Sequence, residues 1–276
     1  MDALLEQSQA IVQQAIEQLQ PYATVMMISG GNDSLTAYHV ARRLGIHIDA
    51  ICHVVTGTGI QETADWVRQF GEAAPEKYLE ANAGNAYEDY VLRKGFFGRG
   101  HTAHTYAYHL LKADGYRAEL SRHIRQGKRG RRIMLLNGAR QDESDNRMFT
   151  MREPIQQEKK GSPNWWVNII NHWSANDCQR FLGEIGAETN IVAKCIHRSG
   201  ECMCGTMQSQ AEREEAAYWY PDWGAWLDDL ERRVMERFPW RWGEDVPKWV
   251  GQESAGQLRL FDFQPMCSSC KNNSAL

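Results

Sequence analysis

The hexapeptide Ser29-Gly30-Gly31-Asn32-Asp33-Ser34 concentrates groups suited to holding an anion. It lies between an apolar run, Val25-Met26-Met27-Ile28, and a helix-like stretch ending near Leu44-Gly45. A strand, a glycine turn and a helix present unpaired backbone N–H groups and the positive helix end to a phosphate. Gly30 and Gly31 allow close approach and backbone angles closed to other residues. Ser29 and Ser34 add hydroxyl donors, and Asp33 can hold a cation that shields phosphates. The Gly-Lys-Ser/Thr ending of a Walker A loop is missing. A plain glycine turn after a strand is the competing explanation, although such a turn needs only one glycine.

The hexapeptide resembles the SGGxDS loop of the ATP pyrophosphatase superfamily, which grips the pyrophosphate end of ATP. Three more segments follow in order. The strand-like Ile48 to Val55 leads into Thr56-Gly57-Thr58-Gly59-Ile60-Gln61-Glu62-Thr63, similar to the TG…ET segment of the phosphoadenosine phosphosulfate (PAPS) reductase family. The run Ile133-Met134-Leu135-Leu136 enters Asn137-Gly138-Ala139-Arg140 and continues to Arg147, which resembles that family's GxRxxES…R loop. Asn171-His172-Trp173-Ser174-Ala175-Asn176-Asp177 resembles its DWsdeDV helix start. Together these span about residues 23–182, and the chain is identified as a member of the PAPS reductase-like family.

The resemblance implies an α/β fold, a doubly wound parallel sheet of the adenine nucleotide alpha hydrolase-like type. It implies an adenine nucleotide, ATP with Mg²⁺ or PAPS, held by Ser29, Gly30, Gly31, Asp33, Ser34, Thr56, Gly57, Gly138 and Arg140. Asp33, Arg140 and Cys195 are the expected catalytic residues. The activities it implies are adenylation by ATP with transfer of a cysteine- or cluster-borne sulfur to an acceptor, a nucleic acid being one candidate and a sulfur donor protein a candidate partner, or reduction of PAPS or adenylylsulfate with release of sulfite. A non-catalytic nucleotide- and metal-binding subunit is the third. Two features depart from the family. Asn32 stands where many members have lysine, and Cys267-Ser268-Ser269-Cys270-Lys271 replaces the ECGxH-type tail, of which Lys194-Cys195-Ile196-His197 is a partial echo.

The elements that must position these residues are legible too. Apolar runs separated by helical segments argue for βαβ units and a parallel sheet. Ligands of such sheets bind beyond the strands' C-terminal ends, where all three motif loops should gather. Arg140 and Arg147 suit oxyanions because a guanidinium donates two parallel hydrogen bonds; pairing with Asp142, Glu143 or Asp145 is the plainer alternative. Asp2 to Gln20 reads as an amphipathic helix stopped by Pro21. Residues 84–127 read as helical and carry His101, His104, His109 and the pair Leu111-Lys112, which matches a pair common in the family. Arg122, His123, Arg125, Lys128, Arg129, Arg131 and Arg132 form a basic turn before the third strand. A solvated turn and a contact for tRNA or DNA through residues 125–132 both fit that cluster.

The sequence contains seven cysteines. Cys52 and Cys178 fall at core positions of a strand and a helix. The spacings of Cys202-Met203-Cys204 and Cys267-Ser268-Ser269-Cys270 let four thiolates converge on one centre, either a [4Fe–4S] cluster or structural Zn²⁺. Resemblance to adenylylsulfate reductases and DNA-phosphorothioation proteins favours iron–sulfur. Cys195 is then either a nucleophile activated by Lys194, His197 and Arg198 or itself a ligand. The tryptophans between Ser209 and Val250 suit a helical appendage packed on the main domain, with base stacking as the sharper reading. The expected organisation is an N-terminal helix (1–22), a nucleotide domain (23–190) and a cysteine-bearing, tryptophan-rich C-terminal region (191–276). A net charge of −4 argues against a protein that coats nucleic acid, and no apolar run matches a membrane span. A cytoplasmic location is expected.

Overall fold

A computed structural model describes residues 1–128, 130–143 and 153–252. Its centre is a six-stranded sheet in the order β3-β2-β1-β4-β6-β5, built from β1 (Ala23–Met27), β2 (Ala50–Val55), β3 (Lys77–Asn82), β4 (Ile133–Asn137), β5 (Ile155–Gln157) and β6 (Asn164–Asn168). All pairings are parallel except β5 with β6. The expected doubly wound α/β sheet is therefore present. The apolar runs become strands because β1, β2 and β4 are covered on both faces, which selects continuous hydrophobic sequence over alternation.

One face is packed by α1 (Asp2–Leu19), α2 (Asn32–Arg43), α3 (Gln61–Ala73) and α7 (Ala175–Glu184), with Met26, Ile51, Met134, Leu136 and Val167 pointing into that layer. The other is covered by a long helical stretch from α5 (His101–Tyr108) through α6 (Asp114–Glu119), joined by π-helical turns at His109–Ala113 and Leu120–Arg125. Val25, Cys52, Val54, Leu79, Leu135, Tyr116 and Leu120 form that second layer. Each large apolar side chain buried in these layers stabilises the fold by about 1.5–3 kcal/mol.

α1 ends at Gln20 in a left-handed conformation (φ 44°) whose N–H donates to Ile16 O, and Pro21 beyond it cannot continue the helix. α7 opens with the capping box expected from Ser174 and Asp177: each side chain accepts from the other's backbone N–H.

A third apolar cluster joins α4 (Ala86–Lys94) and α5 to the C-terminal helices α8 (Gln210–Trp219) and α9 (Pro221–Met235), with Trp223, Trp240 and Trp242 buried in it. Their indole N–H groups donate to the carbonyls of Thr58, Phe96 and Met203, which satisfies the polar end of each ring. Trp219 and Trp249 are exposed. Among the described residues no helix is long and apolar enough to cross a membrane.

Candidate nucleotide site

A cavity of about 900 Å³ opens at the C-terminal ends of β1, β2, β4 and β6. Ser29, Gly31, Asn32, Asp33 and Ser34 line it together with Gly138, Ala139 and Arg140. The loop after β1 is held by its own hydroxyls: Ser34 Oγ donates to Gly31 O at 2.9 Å and accepts from Ser29 N–H at 3.2 Å. Gly30 has φ 78°, which turns the chain sharply into α2, and its carbonyl accepts from Asn190 Nδ2 at 3.1 Å. Gly30 itself does not line the cavity. Gly138 is required by close approach, since a Cβ there would lie 2.3 Å from Asp33 O and 2.6 Å from Ser34 N. The loops after β1 and β4 thus touch through backbone.

Arg140 is buried and faces Asp33, with Nε 3.0 Å from Oδ1 and Nη2 donating to Oδ2 at 3.1 Å. It also lies 3.4 Å from Asp142. The oxyanion fork and the plainer ion-pair reading of Arg140 therefore meet in one residue. Arg147 lies outside the described residues.

Thr56 and Gly57, expected at the nucleotide, do not line the cavity. Thr56 is buried; its N–H donates to Glu201 Oε1 at 2.9 Å and its hydroxyl to Glu201 O at 2.7 Å. A Cβ on Gly57 would lie 2.6 Å from Gly84 O. This motif braces the loop that carries Cys202 and Cys204, a long-range role invisible in a linear motif.

His53 and Glu201 are cavity residues that sequence reasoning missed. Both are buried; His53 Nδ1 donates to Ile28 O at 2.8 Å, and its Nε2 lies 3.2 Å from Glu201 Oε2. Because a carbonyl only accepts, Nδ1 is the donor in that contact, and the ring presents Nε2 to the carboxylate. Lys112, noted from its motif, also lines the cavity. Burial alone would depress its pKa, but Cys202, Glu201 and Cys204 raise it, which keeps the ammonium charged.

None of the three described C-terminal cysteines lines the cavity. Cys195 contacts Tyr220, whose hydroxyl is pushed up to about 12 by burial and by that thiol. Arg198, expected to activate Cys195, pairs with Glu212 and Glu215. The Cys202 and Cys204 side chains hydrogen-bond each other; this bond, Thr206 and Lys112 outweigh burial and pull Cys204 down to about 6, while Cys202 rises. Two adjoining thiols sharing one proton suit a soft metal. Cys267 and Cys270 lie outside the described residues, and among the described ones no three His, Cys, Asp or Glu gather. His104 of the histidine group instead has Nδ1 3.2 Å from Thr206 Oγ1. Cys52 and Cys178 are buried as expected.

The basic turn lies elsewhere. It precedes β4 and so sits at the N-terminal edge of the sheet, opposite the cavity. Most of its described cations have partners. Arg125 is buried against Asn164, Arg131 lies 3.8 Å over the Tyr22 ring, Arg132 donates to Leu19 O, and Arg122 and His123 pair with Glu119. The expected position of this turn beside the nucleotide site is corrected: it lies at the far end of the sheet, where several of its cations take part in tertiary contacts.

The phosphoadenosine phosphosulfate reductase domain model matches residues 23–204, and the chain belongs to that family. No curated protein matches. Among solved structures the chain is similar to a PAPS reductase from Candida auris in a phosphate complex, at 14% identity over 68% of this chain and 83% of that one, TM-score 0.47. An FMN adenylyltransferase from Candida glabrata with ATP matches at 10% identity over 70% and 58%, TM-score 0.45. The U34-tRNA thiolase from Methanococcus maripaludis with its [4Fe–4S] cluster matches at 12% identity over 95% and 86%, TM-score 0.44.

Proposed function

We propose that the protein is an adenine-nucleotide-dependent enzyme of sulfur chemistry, which adenylates an acceptor with ATP and replaces the adenylate by sulfur. One observation carries this reading. The cavity has the anion-binding loop and Arg140 on one wall and His197–Glu201, leading directly into Cys202, on another. Its volume lies in the usual range for a small-molecule site. The phosphates belong at Gly31–Ser34 and Gly138–Arg140; the adenine belongs over β2, against Met27, Cys52 and Val54. An acceptor oxygen attacks the α-phosphorus, the bond to pyrophosphate breaks, and a sulfur nucleophile later expels AMP. The loop N–H groups, Lys112 and Arg140 stabilise the charge that develops. Arg140 is drawn off Asp33 by the phosphates, which leaves that carboxylate for Mg²⁺, an ion usually held by one or two carboxylates plus phosphate oxygens.

Cys202 and Cys204 would hold a [4Fe–4S] cluster or Zn²⁺ together with Cys267 and Cys270. Such a centre would supply a Lewis-acidic site for sulfur. This chain's own contribution is to seat the two thiols behind Glu201, shielded by Tyr87, whose hydroxyl donates to Cys204 O at 3.1 Å. Residues 1–22, 23–190 and 191–276 remain the proposed organisation, with a sulfur donor protein as partner.

Calorimetry with ATP and Mg²⁺ tests the nucleotide: wild type should bind, and Asp33→Ala and Gly31→Val should weaken binding. Absence of binding by wild type overturns the reading. Sulfite release from PAPS would establish the reductase alternative instead, and binding without turnover of either nucleotide the non-catalytic one. Iron, zinc and sulfide analysis after anaerobic purification decides the metal.

A further inference from the structure

The cavity floor changes character from one side of the anion-binding loop to the other. Over β1 and β2 it is largely apolar, with Met27, Cys52 and Val54 beside the single imidazole of His53. Over β4, β6 and β5 it is made of amides and an indole: Asn137, Asn168, Gln156 and Trp166. Strand register explains the grouping. Asn137 pairs with Asn168 and Gln156 with Trp166, and Trp166 and Asn168, two apart, share a face. The helical stretch above adds Tyr108 and Tyr116, the latter 5.8 Å from Trp166 ring to ring in an edge arrangement.

Most polar groups here are already engaged. Asn137 Oδ1 accepts from Ala139 N–H at 2.7 Å, Gln156 Nε2 donates to Glu153 O at 2.9 Å, Tyr116 donates to Glu158, and Tyr108 donates to Tyr116 at 3.1 Å. Asn168 differs. It is 1% exposed, it lines the cavity, and its Oδ1 has no hydrogen-bond partner among the described residues. A buried amide oxygen without a partner is costly unless a ligand completes it.

We propose that the half of the cavity over β4, β6 and β5 is the acceptor subsite, and that it takes a planar heterocycle of the nucleobase type. The inference rests on the nucleotide occupying the other half. Asparagine and glutamine amides match the paired donor and acceptor edge of a base. An indole and phenol rings supply faces for it to stack on. An apolar floor would suit the adenine equally on both sides; amides on one side only distinguish a second ring with a different edge. The base can come from a free nucleoside or from a nucleic acid strand.

The full-length protein, saturated with Mg²⁺ and the ATP analogue AMPCPP, is titrated with cytidine, uridine, guanosine and adenosine, and separately with a short single-stranded oligoribonucleotide. Saturation-transfer NMR reads binding. At least one nucleoside or the oligonucleotide should bind alongside the analogue, and binding by the oligonucleotide alone assigns the base to a strand. Asn168→Leu should weaken that binding about tenfold or more, and Gln156→Ala about threefold, each with AMPCPP affinity kept within about twofold. Should Asn168→Leu fail to melt cooperatively, Gln156→Ala on the edge strand decides. The proposal falls if no probe binds beside the analogue, if binding withstands these changes, or if nucleosides bind only when AMPCPP is absent. Failure of AMPCPP itself to bind would refute the nucleotide reading, while Asn168-dependent nucleoside binding would still mark the subsite.

Discussion

The loop after β1 and the loop at Ser199–Thr206 face each other across the top of the sheet, and they are built in opposite ways. The first is local. Its hydroxyls bond within six residues, and strand and helix flank it in sequence. The second has a few bonds of its own, from Glu201 N–H to Ser199 Oγ and from Gln208 Nε2 to Cys202 O, and is otherwise held from afar. Thr63 donates to Ser199 O, Thr56 to Glu201, and Trp242 to Met203 O, while Met203 N–H donates to Thr58 Oγ1. A local motif can be recognised from a short string of residues. A loop positioned by residues more than 130 apart in the chain cannot. His53 joins the two, touching Ile28 O beside one loop and Glu201 in the other.

Crossed glycine variants should separate the two loops most sharply. Gly138→Ala drives a Cβ into Asp33 O and Ser34 N and should lower ATP affinity about tenfold to a hundredfold, the loss of one hydrogen bond to a charged phosphate. Gly59→Ala places its Cβ 2.4 Å from Glu201 O and should dislodge the second loop instead. Calorimetry with ATP and alkylation of Cys202 and Cys204 by iodoacetamide read the two outcomes. If both variants lose both properties equally, the loops are one cooperative unit.

Glu201→Ala strips partners from His53 and the Thr56 N–H together. Leaving the buried Thr56 N–H without its acceptor costs about 1–3 kcal/mol. Denaturant unfolding should show that loss, and Glu201→Gln, which can still accept from Thr56, should lose less. Equal losses would show that the Thr56 contact contributes nothing.

A smaller effect concerns Glu158, which anchors the wall carrying Tyr116. Burial would raise its pKa, but hydrogen bonds from Tyr116, Ser162 and Arg117 outweigh burial and hold it below the ordinary carboxylate value. A lowered folded pKa contributes stability that is complete above the unfolded value of about 4.3. That stability is lost as pH falls through the lower folded value. Glu158→Gln should therefore cost about 1–3 kcal/mol at neutral pH and progressively less in acid. Thermal melts across pH check it; a gap that widens in acid would contradict the assignment.

The smallest effect belongs to the basic turn. Lys128→Gln with Arg131→Gln should leave ATP affinity unchanged by calorimetry, because the turn sits at the opposite sheet edge. A fall of about tenfold or more would mean that the two edges communicate.

By itself the sequence determined the family, the α/β class, the loop of Ser29–Ser34 and the capping box of α7. Each of these is encoded in contiguous residues whose spacing answers a local backbone need. It also marked Lys112 and the spacing of Cys202 and Cys204. Tertiary structure alone decided that Thr56 braces a distant loop, that Cys195 turns toward Tyr220, and that the basic turn spends its charges away from the cavity. It likewise decided that His53, Glu201 and Asn168 come to the cavity wall. A buried histidine in a strand and an asparagine at a strand end look ordinary in a sequence. Parallel pairing of strands far apart in the chain determines which of their side chains share a face, and no local pattern records that pairing.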